Sequence, residues 1–164
     1  MLPSRVESYL VAALAGAPDL AEFLLSDVSA AVADFRPDPE RFTIREAISH
    51  VADWDPIWLG RMKDIVQKDN PTLVGIDEGE AAVLGNYSER DWWEQTRLYA
   101  QRRAEMMAFL KTLSPADWDR TATHTEIGPI TLYELAVLVT AHDSYHLQQF
   151  AQWRRLFATA DGGV

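Results

Sequence analysis

Three of the four histidines in this 164-residue chain fall where their imidazoles would point into a helical core. His142 and His146 are four residues apart, so in a helix they project from one face about one turn apart. His50 follows Ala47 by three residues and precedes Trp54 by four, which places it on the apolar stripe of another helical stretch. Neutral imidazoles are ligands for zinc, nickel, iron or copper, so these positions are candidates for a metal site.

The spacing of these histidines leaves two interpretations open. In the first, they hold one divalent ion, and three protein ligands leave a coordination position for water or substrate. In the second, each buried imidazole is satisfied by a polar side chain or a carbonyl, and the His-x-x-x-His spacing is a chance pattern. The fourth histidine, His124, lies in an irregular or strand-like segment at 120–130, where we expect a surface or loop role, with a place in the lining of the site as the alternative.

Four helical stretches are predicted to position these residues. They run from about 4 to 33, with an interruption near Pro18, from 43 to about 68, from about 88 to 112, and from 131 to about 158. The second and fourth begin with capping boxes, in which a threonine hydroxyl and a glutamate carboxylate satisfy free backbone amides (Thr43 with Glu46, Thr131 with Glu134). The pattern predicts an all-α fold, a four-helix bundle that forms a single domain over residues 1–164.

Residues 71–87 form a long connection between the second and third helices. Such a length is unusual inside a compact domain and is often functional. A bundle helix of about 26 residues is about 39 Å long, whereas an extended segment of this length reaches roughly 56 Å. The connection can therefore cross over the whole bundle, and its acidic run at 77–80 is either a lid or a solvated loop.

Composition excludes several classes of chemistry. The chain has no cysteine, which removes disulfides, thiolate ligands and a protein thiol nucleophile, and is compatible with the cytoplasm, where we expect the protein. The net charge is −10 and no basic stripe is visible, so we expect no nucleic-acid partner. Pairs such as Arg102 and Arg103 read as solvated helix faces. No uninterrupted apolar run reaches about 18 residues, so we expect no membrane span.

Several segments, taken in order, resemble the DinB/YfiT-like family of metal-binding four-helix bundles. The strongest is AHDSYHLQQ at 141–149, which matches the family's His-Asp-x-x-His-x-x-Gln pattern. The others are FTIREAISHVADW at 42–54, WLGRM at 58–62 and GPITL at 128–132. The resemblance covers most of the chain, and it implies a bundle with a long crossover between the second and third helices.

The resemblance implies a divalent ion on His50, His142 and His146, with zinc or nickel favoured over iron or manganese. It also implies a homodimer, a small-molecule substrate and thiol-transferase chemistry. Because the chain has no cysteine, the thiol would be a low-molecular-weight co-substrate. Two alternatives remain, a metal-dependent hydrolase and a non-enzymatic metal-binding stress-response protein, and a fourth protein ligand would favour the latter.

Four charged residues are candidates for catalytic or supporting roles. Glu46 and Asp53 lie about one turn either side of one candidate ligand, and Asp143 lies three residues before another. Each carboxylate could accept the free N–H of a metal-bound imidazole or take a proton from a bound water, although a capping or solvated role is the alternative. Arg61 falls on the family's Trp-x-x-Arg position, where it either forms an ion pair that fixes the bundle or recognises an anion.

Overall fold

A computed structural model describes residues 4–161, and four long helices dominate it. The helices are α1 (Ser4–Leu25), α2 (Ala30–Ala33), α3 (Ile44–Gln67), α4 (Glu78–Leu84), α5 (Trp92–Leu110) and α6 (Leu132–Asp161). The strands are β1 (Thr72–Leu73), β2 (Thr121–His124) and β3 (Gly128–Thr131). Both α1 and α3 pack against α5 and α6, which confirms the predicted four-helix bundle.

Local capping signals determine where the main helices begin. Thr43 accepts a hydrogen bond from the Glu46 amide, and the Glu46 carboxylate accepts one from the Thr43 amide, so the predicted capping box of α3 is confirmed. Thr131 and Glu134 make the same reciprocal bonds before α6. The third long helix begins later than predicted, because Asp91 caps α5 by accepting from the amide of residue 94.

The predicted interruption near Pro18 is wrong, since α1 continues through it to Leu25. A proline in a helix leaves the carbonyl four residues earlier without its usual donor. Here that carbonyl belongs to Leu14, and it accepts a hydrogen bond of 2.9 Å from Nη1 of Arg103 on α5. The helix ends at Leu25, and the stretch predicted to continue to residue 33 holds only the separate short α2, capped by Ser29.

The segment at 71–87 has secondary structure of its own. It contains β1, which pairs in parallel with β2, and the short helix α4, capped by Asp77. Strand β2 also pairs antiparallel with β3, so the strand-like segment at 120–130 is a hairpin and the sheet has the order β1-β2-β3. This sheet ties the connection between α3 and α5 to the segment that precedes α6.

The apolar core divides into two clusters along the bundle axis, and buried polar side chains lie at the level where the clusters meet. On α6, for example, Leu135 and Val139 belong to one cluster, whereas Phe150 and Trp153 belong to the other. We call the buried polar residues at this level the polar layer: His50, Asp55, Arg103, Asp143, His146 and Gln149. Arg103 is only 1% exposed, so its assignment to a solvated helix face is wrong.

By length and composition, α1 could cross a membrane, over Arg5–Leu25 with a mean hydropathy of 1.3. Only 33% of the apolar window in this helix is buried in the bundle. The core helix of a soluble protein meets the same criterion, so this property is weak evidence for a membrane span. It does show that α1 presents an apolar outer face.

Candidate metal centre

His50 on α3 and two histidines on α6 bring their ring nitrogens together at the polar layer. Nε2 of His50 lies 2.8 Å from Nε2 of His142, and one ring nitrogen from each of His50, His142 and His146 lies within 4.8 Å of the others. Two nitrogens that bind one zinc ion at about 2.0–2.1 Å can be at most about 4.2 Å apart, so the Nε2 pair can share an ion. The structure therefore assembles the predicted group of three.

All three imidazoles are neutral at pH 7. Burial, with the neighbouring imidazoles of His146 and His142, lowers the pKa of His50 to about 2. Burial, with the charge of Arg103, lowers the pKa of His142 to about 4, and burial, with His142, lowers the pKa of His146 to about 3. Since only a neutral imidazole has a free lone pair, this donor set fits a divalent metal ion.

Gln149 orients one of these imidazoles, a role that the sequence analysis did not assign. Its Nε2 donates to the carbonyl of Phe42 at 2.6 Å, so its Oε1 faces Nδ1 of His146 at 3.0 Å. That contact requires a proton on Nδ1, which leaves Nε2 as the atom with the lone pair. By contrast, Nδ1 of His50 and of His142 is buried with no hydrogen-bond partner in the described part of the chain.

The candidate Asp143 is held by Arg103 in an ion pair within the polar layer. Nη1 of Arg103 lies 2.6 Å from Oδ2 of Asp143, and the same guanidinium binds Asp55 through Nε and Nη2. Burial raises the pKa of Asp55 to about 6, although its bonds to Arg103 act in the opposite direction. No hydrogen bond joins Asp143 to an imidazole among residues 4–161.

The other two carboxylate candidates also have arginine partners. Asp53 pairs with Arg90 and Arg102 on the α5 side of the bundle, at 2.9 and 2.8 Å. Glu46 caps α3 and pairs with Arg36 at 2.6 Å. The structure thus assigns each candidate carboxylate a partner other than the histidines.

Two clefts open beside the three histidines. The His142 cleft, of about 190 Å³, is lined by His142, Trp54, Trp58, Arg61, Glu78 and Glu126, among others. The His146 cleft, of about 250 Å³, is lined by His146, Gln149, Arg41, Phe42, Tyr145 and Glu78, among others. Glu78, in the first turn of α4, is the one residue of the described chain that lines both.

The His142 cleft contains His124, for which we expected a surface or loop role, and Arg61, for which we expected an ion pair or anion recognition. His124 is not on the surface, because it is 5% exposed at the end of β2 and lines this cleft; its Nδ1 accepts from the amide of Glu126. Arg61 donates to the carbonyl of Val74 at 2.6 Å and stacks on Trp58. Among the described residues Arg61 forms no ion pair, so of its two predicted roles the ion pair finds no support.

Comparison with known proteins decides the family. The sequence model of the DinB superfamily matches residues 13–150, which include all three histidines and Gln149. The chain belongs to the DinB superfamily. Family, fold and histidine cluster together support a divalent metal ion in this DinB protein.

Two relatives illustrate what this DinB chain is similar to. The structure of YfiT from Bacillus subtilis matches with a TM-score of 0.90, over 96% of this chain and 91% of that one. The two are 18% identical, a level that supports the fold alone, and YfiT is described as a probable metal-dependent hydrolase with an unusual four-helix bundle topology. A candidate metal-dependent hydrolase of Oceanobacillus iheyensis, OB0782, is 29% identical over 106 residues, which is 65% of this chain. The match spans 61% of that relative's length.

Proposed function

We propose that this DinB protein is a metal-dependent transferase that joins a low-molecular-weight thiol to a small electrophile. The observation that carries the proposal is that two separate clefts border one set of histidines, one at His142 and one at His146. A transfer reaction must hold two substrates side by side. Hydrolysis needs a place for only one substrate and a water molecule.

The residues of this chain support a role for the metal ion in activating the thiol. A divalent ion held by His50, His142 and His146 would lower the pKa of a coordinating thiol. The thiol must come from a co-substrate, because the chain has no cysteine. Three imidazoles suit zinc or nickel, with iron or manganese as alternatives. We place the reaction in the cytoplasm, where small thiols are kept reduced.

The two clefts differ in character, which suggests how the substrates are distributed. The His142 cleft contains Trp54 and Trp58, whose rings suit an apolar electrophile. The His146 cleft contains Arg41, whose Nε donates to the hydroxyl of Tyr145 at 3.0 Å. A positioned guanidinium suits the polar groups that a soluble thiol carries.

The direct test is conjugation of N-acetylcysteine with 1-chloro-2,4-dinitrobenzene by zinc- or nickel-loaded protein. We expect thiol consumption and conjugate absorbance well above the protein-free rate. Both should disappear in metal-free protein and in His142→Ala. No thiol consumption above the protein-free rate with several electrophiles would contradict the proposal.

A metal-dependent hydrolase is the second candidate, and the position of Glu78 between the two clefts favours it. A hydrolase needs a carboxylate that can take a proton from the attacking water. The three candidates for that role are engaged by arginines, whereas Glu78 lines both clefts. Both relatives described above are also named as candidate hydrolases. Metal-dependent cleavage of p-nitrophenyl acetate without any thiol would favour this function.

The non-enzymatic alternative requires that protein ligands fill the coordination sphere of the ion. Within residues 4–161 the ligand cluster consists of three histidines, with no fourth histidine or carboxylate. Three ligands leave a position for a substrate, as is usual in catalytic sites. The composition of the cluster therefore supports an enzyme.

A further inference from the structure

Glu78 differs from Asp53, Asp55 and Asp143 because its carboxylate has no arginine partner. Glu126 and Glu40 also form no ion pair among the described residues, but each lines only one of the two clefts. Arg103 binds Asp55 and Asp143. Asp53 is bound by Arg102 on α5 and by Arg90, which lies just before that helix. In the described chain, Glu78 has neither a hydrogen bond nor an ion pair through its carboxylate. A carboxylate without a guanidinium partner takes up a proton more readily, because a neighbouring positive charge lowers the pKa of a carboxyl group.

The position of Glu78 gives it access to both substrates. It follows the cap residue of α4 and lines the His142 cleft and the His146 cleft together. Any molecule that approaches the three histidines through either cleft therefore passes the same residue. Glu80, two residues further along the same helix, lines neither cleft.

The surroundings of Glu78 also increase its proton affinity. Although the residue as a whole is exposed, desolvation of its carboxyl group raises its pKa, and the negative charges of Asp77 and Glu126 raise it further. A carboxylate with a raised pKa is a better proton acceptor near neutral pH than an ordinary surface glutamate. This effect supports the geometric argument.

We infer that Glu78 is the proton acceptor for the nucleophile that attacks in this centre, an inference that rests on the proposed function. In the transferase, the thiol S–H bond breaks and its proton moves to the carboxylate of Glu78. The electron pair of sulfur forms the new S–C bond, and the leaving group departs with the pair of the C–X bond that breaks. The proton then passes from Glu78 to the leaving group or to solvent. With water as nucleophile, the O–H proton takes the same path.

Calorimetry of thiol binding tests this inference apart from turnover. N-acetylcysteine is titrated into zinc-loaded protein at neutral pH in two buffers of different ionisation enthalpy, which gives the protons released to the buffer. Wild-type protein should release fewer protons per thiol bound than Glu78→Gln, because Glu78 retains part of the thiol proton and the glutamine retains none. The control Glu80→Gln should match the wild type. At saturating thiol, Glu78→Gln should also lower the conjugation rate by about 10²–10⁴-fold.

Each outcome separates the role of Glu78 from the proposed function. If thiol binds and Glu78→Gln matches the wild type in proton release and rate, Glu78 is not the acceptor and the transferase proposal stands. If wild-type protein binds no thiol, the transferase proposal fails, and the rate of p-nitrophenyl acetate hydrolysis decides about Glu78. A loss of about tenfold or more in Glu78→Gln relative to Glu80→Gln supports the inference. Equal rates, including no hydrolysis in either variant, overturn it.

Discussion

Nη1 of Arg103 lies 2.6 Å from the carboxylate of Asp143, and Asp143 directly follows the candidate ligand His142 in α6. The guanidinium makes five hydrogen bonds in all: two to Asp55, two to Asp143 and one to the carbonyl of Leu14. It therefore links α5 to α1, α3 and α6 at the level of the polar layer. This arginine fixes the helix that carries two of the three histidines.

Replacing Arg103 should destabilise the protein severely. Arg103→Met leaves two carboxylates buried without a counter-charge, and breaking a buried pair in this way costs about 3–5 kcal/mol. Urea unfolding of the metal-free protein measures the loss. Arg102→Met is the matched control, because Arg102 binds Asp53 at the edge of the bundle, where such a pair contributes about 1 kcal/mol or less. Equal losses of unfolding free energy in the two variants would mean that the buried ion pairs of Arg103 do not hold the bundle together.

Local sequence patterns predicted some features of the fold, whereas features that depend on long-range contacts such as those of Arg103 were not predictable. Capping boxes and the four-residue spacing of His142 and His146 are local signals, so the starts of α3 and α6 were predicted correctly, and the three candidate histidines lie together in the structure. The continuity of α1 through Pro18 depends on an arginine 89 residues away from Leu14, and no local pattern reveals such a partner.

Long-range contacts also determine the roles of two side chains at the candidate site, so local patterns did not reveal these roles. Gln149 and Glu78 were both visible in the sequence, the first in the family pattern and the second in the acidic run. What singles out Gln149 is the carbonyl of Phe42, 107 residues away, which orients its amide. What singles out Glu78 is its place between two clefts. Both depend on how distant segments pack, which composition and periodicity do not specify.

Gln149 should control metal affinity through His146. Gln149→Met keeps the volume of the side chain but removes the acceptor for Nδ1–H, so the imidazole loses its fixed tautomer and orientation. Loss of such a partner typically weakens metal binding about 10–100-fold. Competition with a chromogenic chelator measures the zinc affinity. Gln148→Met, on the exposed side of α6, is the control, and equal affinities in both variants would show that the contact has no effect on the metal.

Metal content should distinguish the ligand histidines from the histidine that merely lines a cleft. His142→Ala removes a ligand, so elemental analysis should find far less zinc or nickel in the purified variant than in wild-type protein. His124→Ala should retain the wild-type content, because His124 lies outside the cluster of three. Equal metal content in the wild type and His142→Ala would eliminate the proposed ligand set.

The metal-free protein should lose stability as the pH falls below about 6.5. An unfolded imidazole takes up a proton near its ordinary pKa of 6.5, whereas the folded chain keeps His142 neutral down to about pH 4 and the other two to lower values. The unfolded state then binds more protons, so the free energy of unfolding decreases with decreasing pH. Asp55 acts in the opposite direction between its folded pKa of about 6 and its ordinary 3.8, and so does Glu78, whose pKa is also raised, but these are two groups against three.

Urea midpoints of metal-free protein between pH 7 and pH 5 test this dependence. We expect the midpoint to fall over this range, and to fall less in His50→Leu, which removes one of the buried imidazoles. Saturating zinc should oppose the fall, because bound metal competes with protons for the same nitrogens. A midpoint that is constant from pH 7 to pH 5 would contradict the assignment of three neutral histidines in the folded chain.

We predict a homodimer that uses the outer face of α1. An apolar groove of about 500 Å³ runs between α1 and α6, and its wall includes Gly16, Leu20 and Leu24. Beside it, Phe23 is 73% exposed, and such apolar surface is typical of an interface. Two copies related by a two-fold axis would bury the same face on both sides, which offsets the repulsion between chains of net charge −10. In analytical ultracentrifugation, Leu20→Glu should convert the dimer to a folded monomer, whereas Val83→Glu, at another exposed apolar position on α4, should leave it intact. A monomeric wild type, or a dimer that survives Leu20→Glu, would show that copies of the chain do not pair through this face.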